Sequence, residues 1–251
     1  MANLRLAAVG DLHCTAGTQG RLQAVLAAVA ANADVLLLCG DLTDNGTADE
    51  ARLLARELAR FATLPTLGVL GNHDYECGHE VDVKQILTEA GVFMMDGDAT
   101  VISGVGFVGV KGFAGGFGRR MLEPWGESPI KLFVQEAVDE SVKLESALAK
   151  LRTLSRVVLM HYSPLEATVV GEPPEIFPFM GSSRLEEPLN RHGVTAVFHG
   201  HAHHGSLEGK TRDGVPVYNV AAPLLRRSFP DVAPVRFLSV AREIGDNHAP
   251  A

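Results

Sequence analysis

The stretch LRLAAVGDLH, Leu4 to His13, decides the fold. Leu4 to Gly10 is a short apolar run broken only by Arg5, and Asp11 and His13 follow it at once. A run of this kind reads as a strand buried on both faces, as in a parallel sheet. A helical pattern, GRLQAVLAAVAANA, comes next, and then the unit repeats. DVLLLCG (Asp34 to Gly40) is a second strand, ADEARLLARELARF a second helix, and TLGVLG (Thr66 to Gly71) a third strand. This βαβαβ rhythm predicts parallel strands with helices covering a face.

Beyond it the pattern changes. TVISGVGFVGVKGF predicts a hairpin turning near Ser103 and Gly104, followed by a long helix over roughly Lys131 to Leu154. RVVLM, VTAVFHG, VPVYNVA and VRFLSVA are expected strands. With no internal repeat or composition shift, one domain over residues 1–251 is expected. Two Gly/Pro-rich stretches, Gly112 to Pro129 and Tyr162 to Gly181, follow no period. Irregular segments this long are usually functional, so they are the expected walls of a substrate pocket.

Composition narrows the function. The chain is 46% hydrophobic and 21% charged, enough to build a core. Its 30 acids against 22 bases give a net charge of -8, which argues against extended nucleic acid as a partner. A small phosphorylated substrate remains compatible, because bound cations can supply positive charge locally. The N-terminal apolar run is too short for a signal peptide, and no run approaches membrane-spanning length. Three cysteines, Cys14, Cys39 and Cys77, show no paired spacing. The expectation is a soluble, cytoplasmic protein with no membrane partner; its oligomeric state is not legible.

The chemistry sits where strands stop. One run ends in Asp11 and His13, the next in Asp41 and Asp44, and the third in Asn72, His73 and Asp74. RVVLM ends in His161, and VTAVF runs into HGHAHH. Parallel strands of an open α/β sheet aim their carboxyl ends at one crevice. A single Asp or Asn there is most often a turn former or helix cap. Five ends behaving alike would crowd carboxylates and imidazoles together, which demands a cation among them. Mixed oxygen and nitrogen donors without thiolates suit Mn, Fe or Zn, and the donors outnumber what one ion needs.

The motifs GDLH, GDLTDNG, GNHD, MH and GHAH, in this order from residue 10 to residue 203, resemble the calcineurin-like metallophosphoesterase superfamily. The resemblance implies a four-layer α-β-β-α sandwich of two mixed sheets flanked by helices. It also implies two divalent metal ions: Asp11, His13 and His203 holding one, Asn72, His161 and His201 the other, and Asp41 bridging them. Such a pair clamps a phosphoryl oxygen and lowers the pKa of a bridging water, which attacks phosphorus in line. His73 matches the family's catalytic histidine, serving the leaving oxygen, and Asp44 the acid that orients it. Asp44 also suits a turn in TDNG. Asp74 fits a helix cap or a supporting role equally.

The resemblance implies a phosphoric ester hydrolase, with a phosphodiesterase of small phosphodiester or nucleotide-type substrates favoured. A nuclease, a phosphomonoesterase and a non-catalytic interaction scaffold are the alternatives. Asn45 stands where the superfamily's protein phosphatases carry an arginine that grips phosphate, so that branch is disfavoured. Arg119 and Arg120 read best as a solvated pair. Phe113, Phe117, Trp125, Phe177 and Phe179 are candidates to stack on a base, although packing beneath loops is the commoner use. In FHGHAHHG, Phe198 to Gly205, His201 and His203 are the expected ligands, and His199 and His204 are bystanders.

Overall fold

The computed structural model of the protein describes residues 3–61 and 63–242; the ends of the expected domain, 1–2 and 243–251, lie outside them. The first half contains β1 (Asn3–Val9), α1 (Gln19–Asn32), β2 (Val35–Cys39), α2 (Ala48–Leu58), β3 (Thr66–Val69), α3 (Glu80–Glu89) and β4 (Val92–Met94). Then come β5 (Asp98–Ile102), β6 (Val105–Gly109), α4 (Ser128–Leu148), β7 (Ser155–Leu159), α5 (Phe177–Met180), α6 (Glu186–Arg191) and β8 (Ala196–His199). The described chain closes with β9 (Glu208–Lys210), β10 (Pro216–Asn219), α7 (Ala222–Ser228) and β11 (Arg236–Ala241).

Two mixed sheets result. The first has the order β11-β1-β2-β3-β4, parallel from β1 to β4 with β11 antiparallel at its edge. The second runs β5-β6-β7-β8-β10-β9, parallel from β6 to β10 and antiparallel at both edges. The period-2 alternation of strand side chains divides each sheet between two cores. Leu6, Val35, Leu37 and Val69 meet Phe107, Val157, Leu159 and Phe198 between the sheets. Leu36 and Leu38 turn outward onto Leu26, Leu54 and Leu87 of the helices. Val108, Val158 and Val197 face Leu144 and Leu148 of α4 and Leu189 of α6. Each buried leucine contributes about 2 kcal/mol, so these cores fix the four-layer sandwich that the motifs implied.

Several boundaries differ from the sequence reading. α4 begins at Ser128, because Pro129 is tolerated in a first helical turn, and it stops at Leu148. The chain then turns so that Leu151 packs against Gly106 under the second sheet. α3, α5, α6, α7, β4 and β9 have no counterpart in the sequence reading. α3 buries only Val83 and Leu87, and β4 and β9 have three residues each. Such elements leave too few periodic positions to read.

Local chemistry then places the loops. Thr47 and Glu50 form a capping box at the start of α2, so both chains are committed to backbone N–H groups. Glu50 also accepts from Asn45 N at 3.0 Å and Asn45 Nδ2 at 2.9 Å. The helix start thereby clamps the turn that carries Asp44.

Candidate metal centre

β1, β2, β3, β7 and β8 end at one edge, and their loops bring all seven expected ligands together. Residues 190 apart touch: the His201 N–H donates to both Asp11 carboxylate oxygens at 3.0 Å. On one side, His203 Nε2 lies 2.9 Å from Asp11 Oδ1 and 3.5 Å from His13 Nε2. On the other, His161 Nε2 lies 2.8 Å from Asn72 Oδ1, 3.1 Å from His201 Nδ1 and 3.3 Å from Asp41 Oδ1. Asp41 stands between the two groups, with Oδ2 3.9 Å from His13 Nε2. Asp11–His13–His203, Asp41–His161–His201 and His13–Asp41–His73 each bring ligand atoms within 4.8 Å of one another.

The backbone is strained where these side chains attach. Asp11, His13, Asp41 and His201 have φ of +55°, +43°, +48° and +69°; among the other described non-glycine residues only Ser103, in the β5–β6 turn, has positive φ. Such conformations cost of order 1–3 kcal/mol each and concentrate at ligand clamps. Two motif glycines leave room for the clamp. A Cβ on Gly71 would strike Asp41 Oδ1, and one on Gly200 would strike Asp11 Oδ2.

Hydrogen bonding shows what the cluster lacks. Carbonyl oxygens only accept, so His161 Nδ1, 3.2 Å from the Cys39 carbonyl, and His201 Nε2, 3.1 Å from that of Phe179, carry the ring protons. Their other nitrogens therefore point lone pairs at each other. With Asn72 Oδ1 and Asp41 Oδ1, four acceptor atoms converge, and the one proton that could be shared among them is that of the Asp41 carboxyl. Burial lowers the pKa of His161 and, with His161 beside it, brings His201 to about 3, so neither ring supplies a second proton. Burial and the Asp11 and Asp74 carboxylates push Asp41 up to about 8. These are the properties of a site built for cations, and the oxygen and imidazole donors fit divalent ions.

His73 sits beside this cluster, its ring centroid 4.5 Å from that of His13. Its N–H donates to Asp41 Oδ1 at 2.9 Å, and its Nδ1 lies 2.7 Å from the Asp44 carbonyl oxygen. Burial works against the His73 cation, but the Asp44 carbonyl and the Asp41, Asp44 and Glu76 carboxylates outweigh it and raise its pKa. Here the structure corrects the expected role of Asp44: its main-chain carbonyl, not its carboxylate, meets the ring. The turn at Gly46 lies against the carbonyls of His73 and Asp74, which aims the Asp44 carbonyl inward. The carboxylate instead lies 3.1 Å from His13 Nδ1, in contact by distance but off the line of a hydrogen bond.

Asp74 is a support. It is buried, and its carboxylate accepts from Leu42 N, Thr43 N, Thr43 Oγ1 and Gly71 N. It thus ties the Asp41 loop to the Asn72 loop. His199, expected to be a bystander, is fully buried. It bonds the Gly200 carbonyl at 2.7 Å and Thr168 Oγ1 at 2.8 Å, and Thr168 Oγ1 lies 2.7 Å from Ser163 Oγ. His204 lies outside the cluster, beside Glu172 and Arg227. Arg119 and Arg120 are exposed. Phe117 and Phe177 pack on Val169, Met180 and Ala202 beneath the loops. The sequence reading missed the Cys39 and Phe179 carbonyls, because a main-chain oxygen has no residue signature.

The calcineurin-like phosphoesterase family profile matches residues 4–205, and the chain belongs to that family. Membership brings the class of phosphoric ester hydrolases that depend on two metal ions. A search of curated sequences finds no match. Among solved structures, phosphopantetheinyl hydrolase from Mycobacterium tuberculosis is 17% identical, with a TM-score of 0.67 over 100% of this chain and 99% of that one. Purple acid phosphatase PPD1 from yellow lupin is 14% identical, with a TM-score of 0.58 over 88% of this chain and 44% of its own. GAP50, the anchor in the inner membrane complex of Plasmodium, is 13% identical, with a TM-score of 0.55 over 89% and 73%. At these identities the likeness is one of fold. Among the described residues, no helix is long and apolar enough to cross a membrane.

Proposed function

We propose that the protein is a dimetal phosphodiesterase acting on a small phosphodiester or nucleotide-type substrate. The observation that carries this reading is the convergence of acceptor atoms from His161, His201, Asn72 and Asp41 beside Asp11, His13 and His203. Asp11, His13 and His203 would hold one Mn, Fe or Zn ion, Asn72, His161 and His201 the second, and Asp41 both. Such ions, when bound, polarise a phosphoryl oxygen and acidify a bound water. The chain's own part is orientation and proton supply. The Cys39 and Phe179 carbonyls fix the tautomers of His161 and His201. The Asp44 carbonyl holds His73 through Nδ1, which leaves Nε2 to hand its proton to the departing oxygen.

A diester is favoured on charge. A monoester reaches the site as a dianion and calls for more positive charge than a monoanionic diester, and Asn45 offers no counterpart to the phosphatase arginine. The scaffold alternative, which likeness to an anchor protein raises, sits poorly with eight retained metal and catalytic positions. Three free cysteines agree with a cytoplasmic setting. The test is hydrolysis by metal-reconstituted protein of bis-p-nitrophenyl phosphate, p-nitrophenyl phosphate, cyclic nucleotides and a phosphopantetheinyl ester. Faster turnover of the diesters is expected. Two bound metals with no hydrolysis of any ester would sink the proposal.

A further inference from the structure

A wall of aromatic rings runs outward from the metal centre. The Tyr162 ring lies 4.5 Å from that of His201 and 5.3 Å from that of His161. Phe113 follows at 5.7 Å from Tyr162, Phe133 at 5.0 Å from Phe113, and Phe179 at 6.0 Å from Phe133. The rings come from three separate segments: both Gly/Pro-rich loops and the first turns of α4. Exposure rises along the row. Tyr162 is 8% exposed, Phe113 and Phe133 are half-buried, and Phe179 is 57% exposed.

The same loop shows what ordinary packing looks like. Phe177 turns inward onto Val169 and Met180, whereas Phe179, two residues later, leaves its ring largely in water. An exposed phenylalanine contributes little to folding, and apolar surface continuous with a polar cleft marks a ligand site. Phe179 is also tied to the centre through its backbone, because its carbonyl holds His201. Lys111 braces the wall from behind. Its Nζ lies 4.6 Å from the Phe113 centroid and 5.5 Å from that of Tyr162, and it also meets the Gly112 carbonyl and, at 3.6 Å, Glu136. The ammonium is thus spent on ring faces and on its own neighbours, which leaves an apolar, π-faced surface.

We infer that this wall is the subsite for the group that the phosphoester carries, and that this group is a planar ring of nucleobase type stacking on Phe113 and Phe179. The inference rests on the phosphoesterase reading of the metal centre and adds the substrate class to it. A row of rings beginning at His201 places a stacked base on the Asn72–His161–His201 side of the centre. Stacking tolerates every base, so the subsite selects planarity rather than one sequence of hydrogen bonds.

Calorimetric titration separates the two readings, using Mn-loaded protein with AMP and with ribose 5-phosphate, which share the phosphate and differ in the base. AMP is expected to bind about tenfold tighter. Phe179→Ala, at an exposed position that folding does not need, should bring the two ligands to within about twofold and leave ribose 5-phosphate unchanged. Phe113→Leu should act in the same direction. Equal binding of both ligands by the wild type, or an equal loss of both in Phe179→Ala, would overturn the aromatic subsite while leaving the metal centre intact. Failure of both ligands to bind metal-loaded protein that also hydrolyses none of the diesters would remove the phosphoesterase reading and this inference with it, whereas failure of both to bind protein that does hydrolyse diesters would overturn the aromatic subsite alone.

Discussion

Replacing Asp74 by Asn exchanges one oxygen for an amide nitrogen, yet it should cost more stability than most surface substitutions. The carboxylate is wholly buried, and its oxygens divide four donors between them. Oδ1 accepts from Thr43 N at 2.8 Å and Thr43 Oγ1 at 2.6 Å, and Oδ2 from Leu42 N at 3.2 Å and Gly71 N at 2.8 Å. Burial pushes the Asp74 pKa up against the pull of these donors. With its nitrogen toward Leu42 and Gly71, an amide leaves both main-chain N–H groups without an acceptor; with its nitrogen toward Thr43 it leaves only the Thr43 N–H, because the Thr43 hydroxyl can turn to accept from the amide. The second orientation costs less, and a buried donor left without an acceptor costs about 1–3 kcal/mol, so the expected loss is about 2 kcal/mol. For a chain of this length that lowers Tm by roughly 6 °C.

Urea and thermal unfolding of metal-free Asp74→Asn measure the loss. Asp49→Asn is the control, because Asp49 is exposed and its ion pair with Arg52 lies at the surface. Since Leu42 and Gly71 adjoin Asp41 and Asn72, metal affinity should also fall, by about 10- to 100-fold. A variant that melts within about 2 °C of wild type would refute the clamp. Unchanged stability with lost turnover would move Asp74 from support into the chemistry.

The contrast between Asp74 and its neighbours shows how far the sequence could be read. Asp11, Asp41, Asn72, His161 and the GHAH pair were legible because apolar runs stop immediately before them, and a parallel sheet gathers its strand ends. The helices over Gln19–Asn32 and Ala48–Leu58 were legible from their periods. Asp74 was not resolved, because an N-cap and a buried four-donor acceptor share the residue type. Only the folded loops bring Leu42, Thr43 and Gly71 to it. The means by which Asp44 meets His73 was hidden for a related reason. A motif names a side chain, whereas the Gly46 turn presents a main-chain oxygen. His199 looked dispensable because its partners, Thr168 and Ser163, lie in a loop without periodicity. The left-handed backbone at Asp11, His13, Asp41 and His201 could not be expected either, since these residue types do not require it.

Three further outcomes test the remaining assignments. His73→Ala should lower kcat by about 10²- to 10⁴-fold while metal content, measured by elemental analysis, stays at wild-type level; loss of metal would make His73 a ligand instead. Gly200→Ala drives a methyl group into Asp11 and should empty the Asp11–His13–His203 side, whereas Gly20→Ala, in open space on α1, should retain both metals; equal metal content in the two variants would disprove the tight-clamp account. The last outcome concerns pH. Burial drives the His199 pKa down to about 4, against about 6.5 in an unfolded chain. The unfolded state therefore takes up this proton first, so the stability that neutral His199 supports is fully present above about pH 6.5 and is lost as pH falls toward the folded value. His199→Asn removes the titration along with the bonds to Gly200 and Thr168. Its deficit in urea unfolding of the metal-free protein should be largest at pH 7 and about 2 kcal/mol smaller at pH 5. A deficit that is the same at both pH values would mean that the folded ring protonates as readily as the unfolded one, and the buried His199–Thr168–Ser163 chain would not be the neutral network described.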